Sequence, residues 1–273
     1  MSTTTVTATV PRTRAQRSWR PRLVSAEFLK LRKRRGLLIS VFALTVLPMI
    51  IGYTVLLTLH AANPGKHGPA GGLKNLSGSM DMLSTLSIVA GILVGATLGA
   101  GDLGSGVFRE LVVTGRSRLA LFAARVPAGL GFLLPIVGAG FAITATGSIV
   151  FAGSLEAPSA SLLVGSAAWL GLVASLALVL ALGVSSVLGS RGTTIGIVFG
   201  WQIVAAPVLL QIRALGSLRD GLLCAATDRL APAALFEGSP KVKMSLAAAV
   251  LVIAMWTIVP LAVGAWRTCT RDA

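Results

Sequence analysis

Long apolar runs separated by short polar connections organise the chain. They cover residues 37–59, 82–101, 128–151, 163–188, 193–212 and 244–266. Each is close to the roughly 20 residues that a helix needs to cross a bilayer core of about 30 Å. Hydrocarbon offers no partner to backbone N–H and C=O groups, and a helix satisfies them within one segment. The pattern therefore predicts an all-α membrane protein with six transmembrane helices. Pro48, Pro135, Pro207 and Pro260 fall inside the runs, where neighbouring helices and local backbone adjustments accommodate the groups they free.

The amino-terminal region departs from this pattern. Residues 1–22 are rich in Ser, Thr, Pro and Arg and read as a disordered basic tail. From Leu23 to Arg35, Val24, Phe28 and Leu31 recur at helical spacing, with Glu27, Lys30, Arg34 and Arg35 at other positions. This reads as a short amphipathic helix on the membrane surface leading into the first span. A flexible basic linker is the competing reading. Residues 23–273 form a single transmembrane domain in either case.

Composition and charge extend the picture. Of 273 residues, 54% are hydrophobic and 12% charged, and mean hydropathy is +0.84. That charge content is about half of a soluble domain's, too low for a soluble chain of this length. The net charge of +15 would suggest nucleic acid in a soluble protein. Here the basic residues lie between apolar runs, so bilayer topology and anionic lipid headgroups account for them and no nucleic-acid partner is expected. Seventeen of the 24 Lys and Arg fall in the amino-terminal region, the 102–127 and 189–192 connections and the carboxy terminus, while 152–162 holds none. The positive-inside rule places those segments, and both chain ends, in the cytoplasm. Cys224 and Cys269 then lie on opposite sides of the membrane and should not pair.

Two segments on the other side carry information. Residues 60–80 read as a Gly/Pro-rich loop. Within 214–243, the stretch LLCAATDRLAPAALF is interrupted by Asp228 and Arg229, too short and too charged to span, so a re-entrant or interfacial helix is expected. Within the spans, Gly91, Gly95 and Gly99 lie four apart on one helix face and allow close approach of another backbone. A crossing inside one bundle and a crossing between subunits both fit. Gln202 is the most polar residue well inside a span, and a hydrogen bond to a neighbouring helix or a contact with substrate would use it.

Missing chemistry narrows the function. No run holds a charged residue near its centre, whereas proton-coupled and ion-coupled carriers usually need one. There is no nucleophile and base pair, no metal-ligand spacing and no G-x-x-x-x-G-K-[ST] motif. The chain reads as a non-enzyme with no cofactor or metal of its own, and any ATP would be bound with Mg by a separate subunit.

Residues 101–130, GDLGSGVFRELVVTGRSRLALFAARVPAGL, form the most specific segment. Val107, Phe108, Leu111 and Val112 offer an apolar face beside Arg109 and Glu110, followed by a turn through Arg116, Ser117 and Arg118. An apolar knob rimmed by charge suits docking to a soluble partner, and a helix lying on the membrane fits the same pattern.

Three stretches resemble the type-2 ATP-binding-cassette (ABC) transporter permeases, the exporter-like membrane subunits of bacteria. They are SAEFLKLRKRRGLLIS before the first run, GVFRELVVTGRSRLALFAARVPAG after the second, and the last run ending in AWRTCTRDA. The six-run layout and the outer segment before the last run are similar too. The resemblance implies a multi-pass permease in the bacterial plasma membrane, a homodimer bound to ABC ATPase subunits, exporting a drug, peptide, lipid or other amphiphile. It implies a coupling helix at the ATPase contact, with Val107, Phe108, Arg109, Glu110, Leu111, Arg116, Ser117 and Arg118, and a connecting helix with Glu27, Phe28, Lys30 and Leu31. A membrane anchor or assembly protein without transport activity is the alternative.

Overall fold

The computed structural model describes residues 19–104, 117–235 and 244–270. Among them there are helices and no strands, and six helical segments are long and apolar enough to cross a membrane. The first span is broken: α2 (Arg35–Thr45) gives way at Val46 to α3 (Leu47–Ala62), which has Pro48 in its first turn. The second span is α4 (Gly72–Gly104), the third α5 (Arg118–Val150) and the fourth α6 (Ala160–Leu188). The fifth joins α7 (Arg191–Phe199), a π-helical turn (Gly200–Ala205) and α8 (Ala206–Gln211). A short helix, α9 (Leu223–Leu230), precedes the sixth span, α10 (Leu246–Thr270).

The helix starts have local causes. Ser117, Ser159 and Ser190 sit at N-caps, and their hydroxyls accept from the backbone N–H of Ala120, Leu162 and Thr193. Each satisfies a donor that the first turn leaves without a partner. Gly189 ends α6 at φ 71, a left-handed conformation that suits glycine.

The helices are longer than the apolar runs. Composition predicts a loop over 60–80, but α4 already begins at Gly72. Asp81 therefore lies nine residues inside a helix, and Arg125 lies seven residues inside α5. Both charges lie toward the ends of their helices and outside the apolar runs, not near a run's centre. Hydropathy marks where side chains meet lipid or core, whereas a helix continues as long as its backbone is satisfied.

α4 and α6 form the centre of the bundle. Of their most apolar windows 67% is buried, against 6% for α10. Leu76, Met80 and Leu83 of α4 meet Leu170, Leu178 and Leu182 of α6 in one core that also includes Leu133 of α5. Buried polar contacts tie the outer helices to it. Tyr53 of α3 donates to Thr144 O at 3.0 Å and pairs with Ser148 Oγ at 2.7 Å, both on α5. Tyr53→Phe would strand those groups in an apolar setting and should cost about 1–2 kcal/mol, read as a lower midpoint of thermal unfolding in detergent.

The two ends of the bundle differ. At one, Arg34 lies against Gly101 at the end of α4, and Arg118 Nη1 at the start of α5 donates to Cys269 O near the end of α10. The described parts nearest the two termini thus share an end with the α4–α5 connection. At the other, Gly71 N–H donates to Phe151 O at 2.7 Å and Leu73 N–H to Glu156 O at 3.0 Å, pinning the first loop to the third span's exit.

Candidate functional site

The helix expected before the first span is present, as α1 (Trp19–Lys33). It packs along α5 rather than lying apart from the bundle. Leu31 is 2% exposed, Phe28 is half-buried against the core, and Glu27 is 7% exposed with Lys30 Nζ 2.7 Å from its carboxylate. The sequence pattern sets Glu27 away from the apolar face, whereas the structure puts it on the buried one. The signal is present in the spacing, since positions 24, 27, 28 and 31 make one helical stripe.

Ser117 and Arg118 carry local roles, as the N-cap of α5 and as a donor to the last helix. Val107, Phe108, Arg109, Glu110, Leu111 and Arg116 lie outside the described residues. Gly91, Gly95 and Gly99 of α4 face α6 within the same chain. A Cβ on Gly91 would come within 2.7 Å of Ala174 O, one on Gly99 within 2.7 Å of Leu182 O, and one on Gly95 would strike Leu178 O. Ser185 Oγ donates to Ala96 O at 2.8 Å along the same seam. The glycine stripe is an intrachain crossing.

Sequence reasoning does not anticipate a chamber of about 510 Å³ walled by α4, α6, the fifth span and α9. Four distant stretches of sequence supply its lining. Asp81, Ser84 and Ile88 come from α4, Trp169, Val173 and Leu176 from α6, and Thr227 and Asp228 from α9. The fifth span contributes Gln202, Ile203, Pro207 and Gln211. The π turn is what shapes that wall. Pro207 has no N–H to offer the preceding turn, and Ala206 N–H reaches back five residues to Trp201 O. Such wide turns concentrate at functional positions. Gln202 lines the chamber, and its carboxamide has no partner among the described residues.

The expected re-entrant or interfacial segment is α9, tucked between α8 and α10. Leu223, Ala225, Ala226 and Thr227 are buried, and Trp169 Nε1 donates to Thr227 O at 2.9 Å. Desolvation, followed by repulsion from Asp81, pushes the Asp228 carboxyl up to about 6. Asp228 lines the chamber and stays exposed to it. Burial, followed by Asp228, pushes the Cys224 thiol up to about 11, so it stays protonated and slow to react near neutrality.

A carboxyl raised from its ordinary value near 4 favours folding while protonated, and that contribution fades as pH rises through about 6. The titratable groups facing it are Asp81 on α4 and Cys224 on α9, whereas α6 and the fifth span present none. Thermal unfolding followed from about pH 4 to about pH 7 should show this loss, and Asp228→Asn should flatten it.

The family model described as ABC-2 family transporter protein matches residues 23–212, from the middle of α1 to the end of the fifth span. The chain belongs to the ABC-2 family. No curated protein matches it.

As an ABC-2 permease it is a multi-pass membrane subunit and not itself catalytic, and subunits of this family generally work with ABC ATPase partners. The match begins within α1 and runs through the whole α4–α5 connection. Among the described residues no group of three or more His, Cys, Asp or Glu could hold a metal ion. Two polar features of the permease thus stand out, the buried Glu27 at one end and the chamber towards the other.

Proposed function

We propose that this permease is the membrane half of an ATP-driven exporter of an amphiphile such as a drug, peptide or lipid. In this reading it works as a homodimer in a bacterial plasma membrane, with a separate ABC ATPase binding ATP and Mg. The observation that carries the reading is the shared end of the bundle, where α1, the exit of α4, the entry to α5 and the end of α10 come together. Most of the chain's basic residues lie in the segments at that end, which favours a cytoplasmic position. A soluble ATPase would there meet the 105–118 segment and α1 together.

The proposed coupling is mechanical. Closure of the ATPases presses on Val107, Phe108, Arg109, Glu110 and Leu111, and the displacement enters α4 and α5 directly. α1 packs along α5 with Leu31 in the shared core, so it moves with that helix. The outer segments then yield to release the cargo on the far side.

Purification of the permease with its ATPase tests this. Phe108→Ala combined with Arg109→Ala should weaken association by about tenfold or more, as loss of interface anchors does, and abolish ATP-dependent transport in vesicles. Unchanged association and transport would sink the coupling role, and absence of any ATPase partner would favour the membrane-anchor reading. Reporter fusions after residues 70 and 155 should map outside, and a cytoplasmic signal at residue 70 would overturn the orientation.

A further inference from the structure

We propose that the chamber binds an organic cation, an ammonium-bearing amphiphile whose charge lies between Asp81 and Asp228 and whose apolar body rests on Ile88, Val173 and Leu176. The proposal rests on the exporter reading and names its substrate class.

The size fits. About 510 Å³ is within the range of roughly 300–1,000 Å³ typical of small-molecule pockets. The charge pattern selects the sign. The two carboxylates come from different elements, α4 and α9, and the described lining contains no lysine or arginine. Neither carboxylate has an ion-pair partner among the described residues. Asp81 and Asp228 are both exposed to this space and repel each other, and a cation between them removes the repulsion. An anionic cargo would add to it.

The walls select an organic body over a metal ion. A divalent metal would seek a compact shell of oxygen or nitrogen ligands, and no such group of three exists among the described residues. Apolar side chains instead cover much of the wall, with the Trp169 ring among them. An aromatic side chain in the same lining as two carboxylates suits an ammonium group. Gln202, partnerless among the described residues, adds a neutral polar contact that can orient the cargo.

The test uses the full-length permease in phosphatidylcholine nanodiscs, with ethidium as the probe and fluorescence anisotropy as the readout. Ethidium should bind saturably. Asp81→Asn with Asp228→Asn should weaken binding by about tenfold or more, about 1.4 kcal/mol, as the cation loses both of its charge partners. Asp81→Glu with Asp228→Glu, which keeps the charges, should restore it. Anionic anilinonaphthalene sulfonate should not displace ethidium, whereas dodecyltrimethylammonium should.

A second readout needs no change to the carboxylates. In a Cys269→Ser background, Cys224, which lines the chamber, is labelled with a maleimide under mildly alkaline conditions, where more of its raised thiol ionises. Bound ethidium should abolish that labelling. Equal affinity in the double Asn variant, or labelling that ethidium leaves untouched, overturns the proposal. No ATPase is present in either assay. Failure of the exporter reading would therefore appear as lost partner association with ethidium binding intact, and failure of this inference as the reverse.

Discussion

Gly95→Leu should separate α4 from α6 and destabilise the permease by about 3 kcal/mol or more, the upper end of what overpacking costs. At Gly95 a new Cβ meets Leu178 O and the Ala181 Cβ, and at Gly91 and Gly99 it likewise meets carbonyls of α6. Backbone cannot step aside as a side chain can. The two helices would have to move apart along the central seam of the bundle, breaking the Ser185 to Ala96 hydrogen bond and opening the core around Leu178 and Leu182. Gly196→Leu is the control. Nothing lies within 4 Å of a Cβ there, so it should change stability by no more than about 0.5 kcal/mol. Thermal unfolding of both variants in one detergent decides the matter. Similar midpoints for Gly95→Leu and wild type would mean that the crossing is looser than the packing implies.

Gly91, Gly95 and Gly99 also show what sequence can and cannot resolve. Their spacing announces a close crossing, because only small side chains let helices touch. It leaves the partner open, since another subunit and another span present the same surface to a glycine. The α6 carbonyls settle it. The apolar runs are legible for a comparable reason, as each must match the bilayer. Helix ends are less so. Lys74, Asn75 and Asp81 read as polar positions outside the apolar run, yet Asn75 Nδ2 donates to Pro69 O and Gly71 O and ties the first turn of α4 to the loop before it. Local hydrogen bonds of this sort leave no trace in a hydropathy profile.

The two candidate sites differ in the same way. Glu27, Phe28 and Leu31 belong to one helix, so their stripe can be read from spacing. The chamber brings together residues 81, 169, 202 and 228, and no periodicity links positions so far apart. Gln202 and Asp228 each stand out in sequence as a polar group in an apolar stretch, but nothing there brings them together. The π turn that sets Gln202 on the wall depends on Pro207, which in sequence is only an awkward residue in a span.

Trp169→Ala should be comparably damaging, at about 3–5 kcal/mol for removing a buried tryptophan. The ring is 7% exposed in the central core, and its Nε1 holds Thr227 O of α9 at 2.9 Å. Trp169→Phe separates these contributions. It keeps much of the ring volume but leaves the Thr227 carbonyl without that donor, a loss of about 1–3 kcal/mol. The loss should also be local, because few elements anchor α9. Beyond Trp169 it leans on α8 and α10, with Arg229 donating to Met244 O. Hydrogen exchange should therefore accelerate across residues 223–230 in Trp169→Phe while α4 and α6 keep wild-type protection. In Trp169→Ala the central helices should lose protection as well. If α9 stays protected in both, the tryptophan is not what seats it, and α8 and α10 suffice. If α9 loosens alone, this wall of the chamber has its own stability, lower than that of the helices around it. A segment that opens before the bundle does exposes the chamber without unpacking the α4–α6 seam.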